Sequence, residues 1–318
     1  MKKLIALFLC LMLPACALAA DYTVGICQFH SHSALDKATQ GFKDALTQKL
    51  GEDKVEFLFT DAAGQLDACA QAVADFTAKP VSLILANATP ALQAAANSTV
   101  DLPIVGVSVS DYGSTLNIAD FDGLVGSNIT GVSDLTPLDT QARMLHEVFP
   151  EAKTIGLLYC SSEPNSAYQV KEVWEYFLEA GLECTLYPFA DEADAPAVTK
   201  TCAEASDVIF VPTDNVVADC AEMISEAALA AKTPIVGGDL YICRDLGVVC
   251  LSADYYQLGL MAGDMAAQIL TGESESAKMP IAYAPDYMGL YNPENCEAFG
   301  VDVARLESMG FVNVHTVE

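Results

Sequence analysis

Short apolar runs, rich in β-branched residues, alternate along the chain with longer amphipathic stretches. The runs are too short for helices and too continuous for half-exposed strands. They fit a parallel sheet covered on both faces. The pattern predicts strands over Tyr22–Cys27, Val55–Phe59, Val81–Leu85 and Ile104–Val107. It predicts helices over Ala34–Leu50, Leu66–Phe76 and Pro90–Asn97 between them. After Gly131 the rhythm restarts. Helices are predicted over Leu138–Phe149, Ala167–Ala180, Ala195–Ala205 and Val216–Ala231, and strands over Thr154–Tyr159, Cys184–Tyr187, Val208–Val211, Ile235–Val236 and Val248–Ser252. A last helix, Tyr255–Leu270, is left over once the second set is complete.

Two successive βα sets imply an α/β protein of two similar lobes, each a doubly wound parallel sheet. The 318 residues suit two domains of about 100–150 residues. Ligands of open α/β sheets sit beyond the carboxyl ends of the strands. The informative loops are therefore Gln28–Ser33, Asn87–Thr89, Ser108–Tyr112, Cys160–Ser166, Pro212–Asn215 and Gly237–Tyr241.

Composition narrows the partners. Hydrophobic residues make up 52% of the chain and charged ones 18%, enough to fill two cores. The net charge of −28 disfavours nucleic acid and anionic lipid as partners. Lys2 and Lys3 precede an apolar run, Leu4–Leu13, and Ala17-Leu18-Ala19 offers small residues for cleavage, so residues 1–20 read as a signal peptide of an exported protein. Leu13-Pro14-Ala15-Cys16 also resembles a lipid-attachment motif, which would anchor the chain at Cys16. Pro14 departs from that motif, and ordinary cleavage near Ala19 is the preferred reading. No later stretch approaches the roughly 20 apolar residues of a spanning helix. Nine cysteines follow the leader, an odd number, so at least one stays unpaired. Cys243 and Cys250 bracket a short turn and are the best local candidates for a disulfide in an oxidising compartment.

Several loop residues carry candidate chemistry. Thr89-Pro90 opens a helix, where Thr serves as a cap or where free N–H groups seat a ligand carboxylate. Asp214 and Asp239 follow strands, either as turn residues or as partners for a ligand ammonium. Ser161, Asn165 and Ser166 offer hydrogen bonds at another helix start. Phe29 and Tyr112 stand near strand ends, where a ring could stack on a planar ligand. Cys27, His30 and His32 are metal-ligand types, but a closed site needs four ligands and nothing completes the set, so no metal and no cofactor is expected. The chain has no G-x-S-x-G, Walker A or H-E-x-x-H motif, and catalysis has no positive support.

The same loops resemble a known family. His32–Asp36, Ala88–Ala94, Asn128–Leu135, Glu163–Ser166, Val211–Asn215 and Asp254–Gly259 run in the order of the type I periplasmic binding proteins, in the ABC-transporter group that includes tryptophan- and tyrosine-binding lipoproteins. The resemblance implies three hinge crossovers, near Asn128–Val132, Leu251–Asp254 and Tyr283–Tyr291, with Tyr255–Leu270 returning to the first lobe. The lobes would then comprise residues 21–129 plus 253–286, and 130–252 plus 287–318. It further implies a monomeric receptor that binds a small molecule, expected to be an aromatic amino acid, and hands it to an ABC permease. The alternatives are a same-fold receptor for a sugar or nucleoside, a sensor subunit, and, more remotely, an exported enzyme. With only Arg143, Arg244 and Arg305 after the leader, a sugar site is disfavoured.

Transferred to these positions, the resemblance places the carboxylate at Thr89 and the ammonium at Asp214 or else Asp239. Ser161, Asn165 and Ser166 complete the polar shell, and Phe29 or Tyr112 touches the ligand side chain. Gln28, Ser108, Asp111, Thr213 and Asn215 are added by loop position. Asp214 is expected to matter for binding and little for stability. The chain departs from the family's usual pattern at Ser33, where Pro is common, and at Gly238-Asp239, where an acidic pair is common.

Overall fold

A computed structural model describes residues 20–317. The segment expected to be a signal peptide, with Cys16, lies outside the described residues apart from its last residue, Ala20. Five strands come first: β1 (Tyr22–Gln28), β2 (Val55–Asp61), β3 (Leu83–Asn87), β4 (Ile104–Val109) and β5 (Ile129–Ser133). Five more build the second lobe: β6 (Thr154–Cys160), β7 (Glu183–Phe189), β8 (Val208–Val211), β9 (Ile235–Gly237) and β10 (Val249–Ser252). The chain then adds β11 (Ala282–Tyr283), β12 (Met288–Tyr291) and β13 (Val312–Asn313).

The first sheet has the order β11-β5-β4-β3-β1-β2, the second β13-β12-β10-β9-β8-β6-β7. All pairings are parallel except β10 with β12. Each lobe thus repeats one pattern, with its second strand outside its first and its third on the other side. The strand order reverses between β1 and β3 in one lobe and between β6 and β8 in the other. A crevice opens at such a reversal because neighbouring connections run to opposite faces.

The apolar strands are buried as their composition requires. All five residues of β3 and all six of β4 are buried. Each sheet carries an apolar cluster on either face. One cluster of the first lobe continues into Tyr241, Cys243 and Cys250 of the second, so the lobes share packing near the hinge.

The chain passes between lobes three times, after β5, after β10 and after β11. The first passage corrects the boundary expected at residue 130. Ile129–Ser133 pairs with β4 and belongs wholly to the first sheet, because its five buried residues complete that sheet's edge. The helix predicted over Val216–Ala231 is two helices, Asn215–Asp219 and Ala221–Ala231, broken at Cys220. The turn expected between Cys243 and Cys250 starts inside a short helix, Leu240–Asp245.

Helix Tyr255–Leu270 lies against Ser33–Leu50 in the first lobe, and glycine makes the approach possible. A Cβ on Gly259 would stand 2.1 Å from the Ala38 carbonyl oxygen, and one on Gly41 2.1 Å from that of Tyr256. Overpacking of this kind costs about 1–3 kcal/mol or more. Gly259→Val is therefore expected to lower Tm by several degrees in calorimetry while leaving the second lobe's fold intact. An unchanged Tm would show that the two helices are not packed this closely.

Candidate functional site

A cavity between the lobes holds about 400 Å³ of empty space, counting its mouth. Its walls come from the ends of strands on both sides of the two reversal points. The first lobe gives His32, Ala34 and Leu35 after β1, Thr89 after β3, Ser108 and Ser110 at the end of β4, and Asp134 after β5. The second gives Asn165 after β6, Thr213, Asp214, Asn215 and Ala218 after β8, and Asp239 and Tyr241 after β9. Tyr255, at the start of the returning helix, closes the hinge side.

The lobes are drawn together in this structure. His32 Nε2 and Asn215 Oδ1 are 2.9 Å apart. His30 Nε2 lies 3.1 Å from Asp219 Oδ2. Gln169 Nε2 donates to Ser110 Oγ at 3.0 Å, and Ser110 Oγ donates to Asp134 Oδ1 at 3.0 Å. Tyr255 Oη donates to the other oxygen of Asp134 at 3.1 Å. Polar groups from both lobes and the hinge therefore form one connected network beside the cavity.

The lining is acidic. Asp134, Asp214 and Asp239 are buried there, and no Lys or Arg joins them. Burial raises the carboxyl groups of Asp134 and Asp214, and pushes Asp239 up to about 7. Glu163 lies just behind Asn165 and Asn215. Burial first, and the nearby Asp214 second, push it up to about 8. His32 is held below its usual range by burial, so its ring adds no positive charge at neutral pH.

The two aspartates named from the sequence differ in what they have left to offer. Asp214 caps helix Asn215–Asp219, with Oδ1 accepting from Val217 N at 2.9 Å, and its Oδ2 accepts from Cys160 N at 2.7 Å. Both oxygens tie the second lobe together, which argues against the expectation that Asp214 matters little for stability. Asp239 caps helix Leu240–Asp245, but both bonds, from Tyr241 N at 2.7 Å and Ile242 N at 2.9 Å, fall on Oδ1. Its Oδ2 is left for the cavity.

Thr89 is not the cap expected of it. Ala88 occupies the cap position, with φ of 88°, and Thr89 is the first helical residue. Its hydroxyl is consequently unused by the helix and has no partner, although buried. Ser108 Oγ, Asn165 Oδ1 and His32 Nδ1 are likewise buried at the cavity without partners. Buried polar atoms are rarely left so, and these four converge on one space. Ser108 also takes a left-handed φ of 54°, a strained conformation for a residue with a side chain, of the kind that gathers at binding sites.

Of the residues expected at the site, Thr89, Ser108, Asn165, Thr213, Asp214, Asn215 and Asp239 line the cavity. Six stand away from it. Gln28 is buried at the end of β1 and braces the first helix, donating to Asp36 Oδ1 at 2.7 Å and accepting from Thr39 Oγ1 at 2.6 Å. Phe29 belongs to the first lobe's core. Tyr112 packs its ring on Gly106, where a Cβ would come within 2.4 Å of the hydroxyl, and is core as well. Asp111 caps the short helix Tyr112–Thr115 by accepting from Ser114 N at 2.6 Å. Ser161 is exposed and donates to the Phe189 carbonyl. Ser166 is buried and turned to the Thr213 carbonyl.

Asp134, Ser110, Tyr241 and Tyr255 line the cavity without being among the expected site residues, although Ser110 and Tyr241 lie in loops expected to face it. Asp134 and Tyr255 stand at hinge crossings, where the periodicity that places a helix or strand does not show which residue faces the cavity. The rings of Tyr241 and Tyr255 meet edge to face, 5.9 Å apart at 66°, and supply the aromatic wall expected of Phe29 or Tyr112.

Comparison with known proteins decides the family. A sequence family described as ABC transporter substrate binding protein matches residues 23–305. The chain belongs to this family. Such substrate-binding proteins are extracytoplasmic receptors with the type I periplasmic-binding fold, and are not enzymes. Among relatives of this substrate-binding protein, a tyrosine-binding protein of Clostridioides difficile is 27% identical over 291 residues, covering 91% of this chain and 84% of its own. An ABC domain in complex with L-Trp from Streptococcus pneumoniae is 28% identical, with a TM-score of 0.86, covering 92% of this chain and all of its own. The ligand-free, open structure of a substrate-binding protein with adhesive properties from Clostridium difficile is 30% identical with a TM-score of 0.71, covering 92% of this chain and 99% of its own. Among the described residues, no helix of the substrate-binding protein is long and apolar enough to cross a membrane.

Proposed function

We propose that this substrate-binding protein takes up an amino acid with an aromatic side chain in the inter-lobe cavity and passes it to an ABC permease. The observation that carries the reading is the pairing of opposite chemistries across one space. The buried carboxylates of Asp214 and Asp239, in a lining without Lys or Arg, stand on the second lobe's side, and a helix start with an unpartnered hydroxyl on the first lobe's. An amino acid presents an ammonium to the carboxylates and a carboxylate to the helix start.

Asp239 Oδ2 is the receiver of the ammonium, because the oxygens of Asp214 are already engaged. A charge-assisted bond there relieves the cost of burying the aspartate. The carboxylate goes to the start of helix Thr89–Ser98, where Pro90 has no N–H but Thr89 and Ala91 do, beside the free hydroxyls of Thr89 and Ser108. Tyr241 and Tyr255 face the side chain. The tyrosine-binding and L-Trp-bound relatives support the aromatic class.

A thermal-shift screen of the mature protein against the twenty amino acids, common sugars and nucleosides tests this. A ligand that binds only the folded state raises Tm. A rise is expected with Trp, Tyr or Phe alone. A rise with a sugar or nucleoside and none with any amino acid would overturn the ligand assignment.

A further inference from the structure

The cysteines of this protein are not scattered evenly. Cys27 lies in β1, one residue before its end, and Cys69 in the first turn of helix Leu66–Thr77, both fully buried. Cys27 Sγ is 4.0 Å from the Cys69 carbonyl oxygen, so the two residues are in contact. In the second lobe Cys243, on helix Leu240–Asp245, and Cys250 of β10 are fully buried in one apolar cluster. Cys243 Sγ lies 3.9 Å from the carbonyl of Leu290, the residue paired with Cys250 across β10 and β12.

Some of the remaining thiols have other partners. Cys160 Sγ is 3.0 Å from Ser162 Oγ, Cys220 donates to the Val216 carbonyl at 2.9 Å, and Cys296 to the Val248 carbonyl at 3.9 Å. Burial raises the thiols of Cys202, Cys220, Cys296, Cys184 and Cys250, and that of Cys27 is raised as well, so acidity in the folded protein does not choose the pairs and position does.

We propose that the exported protein carries two disulfides, Cys27–Cys69 and Cys243–Cys250, one under each lobe's half of the cavity. Each would fasten a ligand-facing segment to its sheet. Cys27 immediately precedes the loop that presents His32, and Cys243 sits on the helix headed by Asp239 and Tyr241. In each closure two thiols lose two protons and two electrons and one S–S bond forms. The electrons pass to the disulfide of an extracytoplasmic thiol oxidant, which leaves as a dithiol. Closure belongs to folding, before the pairs are buried. The longer loop, Cys27 to Cys69, removes more freedom from the unfolded chain than the shorter one. The inference rests on the extracytoplasmic setting of the family and on no particular ligand.

The test is to denature the mature protein, recovered from an oxidising compartment, in an alkylating reagent without reductant. Five of the nine cysteines after the leader are expected to be labelled, and all nine after reduction. Peptide mapping should find the two named links, and reduction should lower Tm by roughly 10 °C. A Cys69→Ser variant should protect only Cys243 and Cys250. Labelling of all nine without reductant would overturn the proposal, as would links joining other partners, such as Cys243 to Cys296.

Discussion

Asp239→Asn should weaken binding of an aromatic amino acid by about a hundredfold, roughly 3 kcal/mol, the usual loss when one member of a buried charge pair is removed. Asparagine still caps a helix through its side-chain oxygen, so the bonds from Tyr241 N and Ile242 N can persist and the fold survives. The variant should even melt higher than the parent at pH 8 in the absence of ligand, since a buried carboxylate without a cation has been neutralised. Loss of affinity with a gain in stability marks a group retained for binding. Asp214→Asn should behave oppositely, with a lower Tm, because both of its oxygens serve the second lobe's own backbone. Calorimetric titration and melting of the two variants side by side would separate the roles. An unchanged affinity in Asp239→Asn would move the ammonium elsewhere.

Ligand-free protein should lose stability as pH rises from about 5 to about 8. Glu163 and Asp239 titrate at about 8 and about 7 in the folded protein, and Asp134 and Asp214 are also raised, with burial the largest cause for each. Unfolded, these groups titrate near 4. Between the two ranges the native state holds more protons than the unfolded state, so stability falls with rising pH. The contribution is fully present below the unfolded values and gone above the folded ones. The expected loss is a few kcal/mol, or on the order of 10 °C in Tm. An ammonium-bearing ligand should flatten the curve by pairing with the ionised Asp239. A ligand-free Tm that holds level or climbs from pH 5 to 8 would contradict the burial of these acids.

The two-lobe fold was legible because its strands are continuous apolar runs. Val208–Val211, Ala195–Ala205 and Tyr255–Leu270 match the pattern residue for residue. The pattern failed where elements are too short to show a period, as in β11, β13 and helix Leu240–Asp245. It also failed at Cys220, where a helical stretch changes direction without Gly or Pro. At the site, Thr213, Asp214 and Asp239 were found because they follow closely on the ends of β8 and β9, which fix their position. Phe29 and Tyr112 misled because an aromatic next to a strand end can turn into the core as easily as into the cleft. Asp134 and Tyr255 were missed because they reach the cavity only through the hinge crossings, and their meeting at 3.1 Å joins parts of the chain 121 residues apart.

The returning helix also sets an order of assembly. Ala38, Phe42 and Leu46 on Ser33–Leu50 are fully buried and belong to the cluster that includes Leu258, Ala262 and Ala266. β5 waits for β11, and β10 for β12. A chain that emerges N-terminus first has therefore finished neither lobe when Ser252 appears. Both are completed together by the last stretch, so the two lobes form one folding problem rather than two in succession. Such long-range closure slows folding and leaves apolar faces bare while it is pending. A protein cut after residue 252 should yield two unfinished sheets instead of two small domains.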